Sequence, residues 1–437
     1  MTKTIKLALV AALALGTTSA FATNGDVMIG QGAKSRSMGG VGIAKSFGAE
    51  SGLANPAMIA SVEKSEATLV VTAFAPTVSF NSDAAAAAAG QTNTNYGDSA
   101  ANFSVIPELA YATRVSENTV IGLSVSGTAG MGTDYDGEAF GTASDNGAFR
   151  MKTALSLLKV AVPVSYSIGG FTAGVAGILQ YGSLQMSHMA QNPNTGAFAL
   201  LDEGESTDIG YGLEVGASYT TGGLTLGAVY KSKIGMTYDN TISASVNAFG
   251  GATNTGIASG DNLDQPEERG VGISYTMGAN TLSADYKNIA WGDAAGYKDF
   301  GWENQDVYAI GYEYAAKSWA VRLGYNYAKS PIVEQDGSPA SAGNAAYGNA
   351  VKNFFNLSGF PGIVETHYTI GGGYNISEAL SLDGSFIYVP EVSNSFDTSG
   401  MTAAFIQGGG GTYTGQTSTA NAKHSQMAVT IAGTYAF

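Results

Sequence analysis

Met427-Ala428-Val429-Thr430-Ile431-Ala432-Gly433-Thr434-Tyr435-Ala436-Phe437 alternates without a break. Met427, Val429, Ile431, Gly433, Tyr435 and Phe437 share one face of an extended chain. The Ala and Thr residues between them share the other, because successive strand side chains point to opposite sides. A soluble domain buries its apolar strand face and commonly ends in a frayed polar tail. A strand running to a terminal aromatic instead suits the closing strand of a membrane barrel, with lipid outside and water within.

Working back from that strand, period-two segments fall at 67–80, 104–115, 119–131, 153–168, 171–187, 210–222, 224–242, 266–278, 280–293, 304–317, 319–331, 365–377, 380–392 and 424–437. Short links such as Gly169-Gly170, Gly222-Gly223 and Lys317-Ser318 alternate with long ones around 81–103, 132–152, 188–209, 243–265, 294–303, 332–364 and 393–423. Short periplasmic turns alternating with long extracellular loops are the pattern of outer-membrane barrels; a soluble sandwich or propeller has no reason to follow it. The expected fold is therefore all-β: a transmembrane antiparallel barrel of about fourteen strands. Charges fall on one face of each strand, as with Arg322 opposite Val321 and Leu323, because a mid-bilayer cation facing lipid costs about 2–4 kcal/mol.

Composition agrees. Charged residues are 13%, while Gly (60) and Tyr (23) are abundant; Tyr suits membrane-interface girdles. The net charge of −15 excludes a nucleic-acid partner, which needs a basic surface. There is no cysteine, hence no disulfide and no lipidated amino-terminal Cys. Lys3 and Lys6, the uncharged run 7–15 and Ala20-Phe21-Ala22 read as a secretory signal peptide, residues 1–22. Residues 23–65 are Gly-rich and lack period-two alternation, yet Met38, Val41, Ile43, Phe47, Leu53, Met58 and Ile59 are apolar enough to pack. A barrel this wide must be open or filled, so we expect a hatch at 23–65 plugging a barrel of 66–437.

Gly52-Leu53-Ala54-Asn55-Pro56-Ala57-Met58-Ile59, then Ile106-Pro107-Glu108-Leu109-Ala110-Tyr111, Lys152 to Tyr166, and Tyr230-Lys231-Ser232-Lys233 occur in an order that resembles the FadL-type long-chain fatty-acid transporter family (OmpP1/FadL/TodX). The resemblance implies a monomeric fourteen-stranded barrel with an amino-terminal hatch ending at Asn55, Pro56 and Ala57. It implies passive uptake of fatty acids or similar hydrophobic molecules in the bacterial outer membrane. Extracellular loops capture the ligand, the lumen binds it, and it leaves sideways where a third strand kinks. Here Gly127, Gly130 and Gly132 would make that kink, though ordinary barrel glycines would read the same way. The implied partners are a hydrophobic ligand, outer-membrane lipid and lipopolysaccharide, and the barrel-assembly machinery that receives the terminal strand.

Two long links carry apolar residues that no strand claims: Phe198, Leu200 and Leu201 in one, and Phe354, Phe355, Leu357 and Phe360 in the other. Exposed, they would form a capture groove; packed together, a loop core. A fatty-acid carboxylate would need a cation, with Lys231, Lys233 and Arg322 available in the lumen. The same cations would equally serve an internal network with Glu214, Asp285, Glu313 and Asp383. Glu303 and Glu365 stand where the family leads us to expect basic residues, which makes uptake of a neutral alkane or aromatic hydrocarbon the alternative.

No enzyme chemistry is legible. His188, His367 and His424 have no metal-ligand spacing, and no nucleophile elbow or phosphate loop occurs. Asp134-Tyr135-Asp136-Gly137-Glu138 reads more naturally as a solvated loop tip than a calcium site. No cofactor or metal is expected. A diffusion porin and an adhesive or structural barrel are the readings from other classes.

Overall fold

The structure is a computed structural model and describes residues 23–135, 137–140, 150–191, 198–339 and 343–437. The expected signal peptide, Asp136, Gly196 and Ala197 lie outside the described residues. Fourteen long strands follow one another: β1 (Ser65–Ser82), β2 (Ser104–Arg114), β3 (Thr119–Tyr135), β4 (Met151–Ile168), β5 (Phe171–Gln191), β6 (Phe198–Thr221) and β7 (Leu224–Lys231). The second half comprises β8 (Glu268–Met277), β9 (Asn280–Ile289), β10 (Gln305–Ala315), β11 (Trp319–Ala328), β12 (Thr366–Asn375), β13 (Leu380–Asp397) and β14 (Thr419–Ala436). Each pairs antiparallel with the next, and β14 closes on β1 from Ala420 opposite Ser82 to Ala436 opposite Glu66. The result is the expected closed barrel.

Alternation decides which face meets lipid. On β11, Val321, Leu323, Tyr325 and Tyr327 are exposed, while Arg322 and Asn326 are buried inside. Trp319 and Tyr327 mark the two ends of that outer face, roughly 26 Å apart at about 3.3 Å per residue. Tyr374 and Tyr435 on one side, with Tyr308 and Tyr368 on the other, continue the two aromatic girdles.

Two strand boundaries differ from expectation by more than ten residues. The sixth strand, expected at 210–222, begins at Phe198, because β5 and β6 continue as a paired ribbon to Gln191 opposite Phe198. Its polar residues disguise the period. The seventh, expected to reach 242, stops at Lys231. There the chain leaves the wall to place Ile234, Met236 and Tyr238 inside the lumen, all buried. Gly210 admits Ile234: a Cβ there would collide with its side chain.

Residues 23–64 pack on the lumenal wall through short elements, including α1 (Gly32–Ser37). Arg36, wholly buried, pairs with Glu108 of β2 and donates to Thr72 Oγ1 of β1 at 2.7 Å. Lys45 reaches Glu313 of β10 at 2.9 Å. Asp285 of β9 accepts from Gly42 N and Ile43 N at 2.7 and 2.9 Å. Asn55 Nδ2 donates to Ile43 O at 2.8 Å and its Oδ1 caps Ala57 N at 3.0 Å. That turn lies so close to β6 that a Cβ on Gly216 would overlap Asn55 Oδ1. Gly216→Val is therefore expected to lift Asn55-Pro56-Ala57 off the wall, seen as new protease cleavage within 23–64 of an otherwise intact barrel. An unchanged digestion pattern would show that the turn yields without cost.

The long-loop end is roofed by α2 (Ala84–Ala88), α3 (Ile242–Ala248), α4 (Ala252–Thr255), α5 (Gly343–Ser358) and α6 (Ser399–Gly408). The expected long link 332–364 thus holds a sixteen-residue helix.

Candidate functional site

The roof opens in a solvent-facing cleft of about 1610 Å³ between α3, α5 and α6, lined by Phe249, Tyr347, Ala403, Gln407 and Tyr413. Behind it the lumen is apolar and aromatic. Phe249 lies 5.0 Å from Phe355 between ring centres, and Phe355 lies 6.1 Å from Phe300. Phe300, Trp302 and Phe360 join Met131, Met186, Ile242 and Leu263 around a narrow apolar chamber. Trp302 continues to Tyr297 at 4.9 Å and to Trp291 at 5.2 Å. Methionine suits such a wall, being unbranched and able to refill gaps around differing shapes.

The polar groups of this chamber are occupied. Asn356 Oδ1 accepts from Trp302 Nε1 at 2.9 Å and its Nδ2 donates to Phe300 O at 2.8 Å. Tyr297 Oη donates to Asp26 Oδ2 and receives Gln265 Nε2 at 3.3 Å. No charged side chain lines the chamber among the described residues.

Asp26 lies behind Tyr297, outside the chamber's lining, in the segment that Gly25 presses against Trp291. A Cβ on Gly25, whose φ is +70°, would come within 2.7 Å of the indole. Burial pushes the Asp26 carboxyl up to about 7, only partly opposed by the bonds from Tyr297 and Gln265. The folded form thus holds its proton more tightly than the unfolded chain between the ordinary 3.8 and about 7. Docking of residues 23–31 strengthens as pH falls through 7 and gains nothing further below 3.8. Exchange of these amides, corrected for intrinsic rates, is expected to slow on the order of tenfold more from pH 8 to 5.5 than in Asp26→Asn. Equal slopes in the two proteins would refute this.

Next to Asp26 the wall itself changes. β2 and β3 pair only from Arg114 opposite Val120 to Glu108 opposite Ser126. The next residue of β2, Pro107, has no N–H to donate, and β3 shifts register against β4 between Gly127 and Ala129. Past Ser126, β3 loses its alternation and turns inward, buried on both faces as far as Thr133. Val27 pairs with Ala129 on the freed edge, and Gly130 N donates to Asp26 O at 3.1 Å. Gly127 packs against Ile106, and Gly132 lies over Thr153 O where a Cβ would clash. The glycines singled out in the sequence therefore stand where pairing is lost.

The other singled-out residues are placed differently. Phe354, Phe355, Leu357 and Phe360 form no exposed groove: they are 4%, 1%, 0% and 7% exposed, on the inner side of α5 and the turn after it. Ala350, Val351, Phe354, Phe355 and Ser358 follow helical spacing, so α5 turns this stripe to the core. Phe198, Leu200 and Leu201 belong to β6 rather than a loop, with Leu200 exposed and Leu201 opposite His188. Arg322 is held by Glu313 at 2.6 Å and Asp383 at 2.7 Å. Lys231 faces Glu268 at 3.8 Å, and Lys233, half exposed past the end of β7, pairs with Asp264 at 3.2 Å. Each of these cations thus has a carboxylate beside it, while Glu214 pairs with Lys159 and Asp285 accepts from backbone. Glu303 is exposed, Glu365 accepts from Ser330 N at 3.1 Å, and neither lines the chamber. Sequence reasoning missed Tyr297, Phe300 and Trp302; three aromatics in six residues of a supposed link were the available signal.

The family model for outer membrane protein transport proteins (OMPP1/FadL/TodX) matches residues 9–340. No curated protein matches the chain in sequence. Among solved structures, a FadL homologue from Pseudomonas aeruginosa is 16% identical, with a TM-score of 0.66 over 94% of this chain and 100% of its own. The P. putida toluene transporter TodX is 17% identical, with a TM-score of 0.64 over 94% and 99%. The Ralstonia pickettii toluene transporter TbuX is 18% identical, with a TM-score of 0.61 over the same shares. At these identities the likeness is one of fold.

Proposed function

The chain belongs to the OMPP1/FadL/TodX outer-membrane transport proteins, channels for hydrophobic compounds, and from that premise we propose that its cargo is a small neutral hydrocarbon. The observation that carries this is the chamber between Phe300, Trp302 and Phe360, where each polar side chain of the lining has a partner and, among the described residues, no charged side chain faces in. Burying about 200 Å² of a single-ring solute gains about 5 kcal/mol. Burying a carboxylate there without a cation costs several kcal/mol, which outweighs its alkyl gain near the head group. Arg322 offers no relief, being already shared by Glu313 and Asp383. That two solved relatives are toluene transporters supports the same class.

In this reading the cleft at Phe249 and Tyr347 admits the solute, residues 23–65 act as the hatch, and exit is sideways past β3. Cells expressing the chain are expected to take up toluene or octane faster than empty-vector cells, with no competition from an equimolar long-chain fatty acid. Preferential uptake of the fatty acid, abolished by its methyl ester form, would overturn the neutral-cargo reading and restore the carboxylate one.

A further inference from the structure

Behind Tyr297 lies a group of buried polar atoms that the chain itself leaves unpaired. Asn24, Asp26 and Tyr238 are 0% exposed and Gln180 is 1% exposed. Among the described residues, Asn24 Oδ1 and Nδ2, Asp26 Oδ1, Gln180 Nε2 and Tyr238 Oη have no protein partner. Strand register brings their carriers together. Val27 lies opposite Asn24 in the first hairpin and opposite Ala129 of β3. Ala129 in turn pairs with Leu157 of β4, and Leu157 with Gly182 of β5. Asp26 precedes Val27, and Gln180 is two residues from Gly182 on the same face of β5. Tyr238 Oη lies over Gly182, where a Cβ would come within 2.2 Å of it. Burial lifts the Tyr238 hydroxyl above its ordinary range, and the charge of the nearby Asp26 lifts it further. This row lies one step below the chamber: Met131, in the chamber's lining, is two residues, about 7 Å, along β3 from Ala129. A cavity of mixed lining, apolar at Val27, Ala129 and Ile234 and polar at Thr128, Gln265 and the Lys231–Glu268 pair, opens beside it.

We propose that this cluster receives the hydroxyl group of a cargo molecule, so that the channel accepts neutral aromatic and aliphatic alcohols, with the apolar body in the chamber and the hydroxyl between Asp26 and Tyr238. The inference rests on the transport reading above and widens the cargo from hydrocarbons to their monohydroxylated relatives. A buried polar atom without a partner costs free energy that a hydrogen bond restores. A hydroxyl suits this set because it donates once and accepts twice. It can donate to Asp26 Oδ1 and accept from Tyr238 Oη or Gln180 Nε2, whereas a hydrocarbon offers nothing to any of them. A carboxylate finds no cation among these four side chains and faces the Asp26 carboxyl. An ammonium would meet acceptors here, but must first cross a chamber whose polar groups are already bonded.

Toluene and benzyl alcohol, which differ only by the hydroxyl, test this. Binding to the whole protein is followed by the fluorescence of Trp302, which lines the chamber, in wild type and in Tyr238→Phe. The change removes a hydroxyl that has no protein partner, so the variant is expected to fold, as heat-modified gel migration reports. Benzyl alcohol is expected to bind Tyr238→Phe on the order of fivefold more weakly than wild type, the loss of one hydrogen bond. Toluene is expected to bind the two proteins alike. An unchanged affinity for benzyl alcohol, or an equal loss for toluene, would overturn the hydroxyl site. Toluene bound with benzyl alcohol excluded would overturn it too and leave the hydrocarbon reading standing. Benzyl alcohol bound in a Tyr238-dependent way without any binding of toluene would keep the site and overturn the hydrocarbon reading. Wild-type crystals soaked in 4-bromobenzyl alcohol give a check that needs no variant, because the anomalous signal of bromine fixes the direction of the ring. The hydroxyl oxygen is expected within hydrogen-bond distance of Asp26 Oδ1 or Tyr238 Oη; a hydroxyl pointing elsewhere, with water alone at the cluster, would refute the assignment.

Discussion

Ile106→Cys/Gly127→Cys is expected to lose hydrocarbon uptake down to the empty-vector level when oxidised and to regain it on reduction. The two positions face each other where β2 and β3 stop pairing. An ideal Cβ on Gly127 lies 2.8 Å from Ile106 Cγ2, which places the two Cβ atoms near the ~3.5–4.5 Å of a disulfide. The native chain has no cysteine, so no competing bridge forms. A bond here sews the wall shut beside Ala129 without touching the chamber, so binding in the chamber is expected to survive while delivery stops. Full uptake by the oxidised protein would mean that the solute leaves elsewhere.

Arg322→Met is expected to destabilise the barrel by about 3–5 kcal/mol, because Glu313 and Asp383 stay buried after their shared cation is gone. Lys45 and Lys34 touch the same two carboxylates and offset part of the loss. Adding Glu313→Leu and Asp383→Leu is expected to recover most of the stability, since an apolar set of similar volume replaces a network whose desolvation cost cancels its attraction. Unfolding in urea, followed by the shift between folded and heat-denatured migration, measures both. Hydrocarbon uptake per folded barrel should not change. A stable Arg322→Met protein that no longer takes up cargo would instead assign Arg322 to the ligand.

Much of this architecture was legible because lipid imposes a rule on every strand. Tyr325 must face out and Arg322 in, so a two-residue period survives wherever the wall crosses the bilayer. The rule fails outside it. The upper part of β6, 199–209, has no buried residue on either face, so it read as a loop; past Lys231 the chain turns Ile234 and Met236 inward, so a loop read as a strand. Gly127, Gly130 and Gly132 marked the break in the wall, but Pro107, which removes the N–H on the opposite strand, was read only as part of a family stretch. The aromatic run 354–360 announced apolar surface without saying which way it faced; α5 turned it inward.

The sequence by itself determined the barrel, its strand count, the face each strand turns to lipid and the family, because these follow from local alternation and from the order of motifs. Only the tertiary structure decided the site. Trp302, Phe300 and Phe360 meet Met131 and Met186 from four distant parts of the chain, and Asp26 meets Tyr297 across the lumen. Which lysine is free and which is paired likewise depends on strands brought side by side by closure. Periodicity records the direction of a side chain, whereas a chamber depends on what stands opposite.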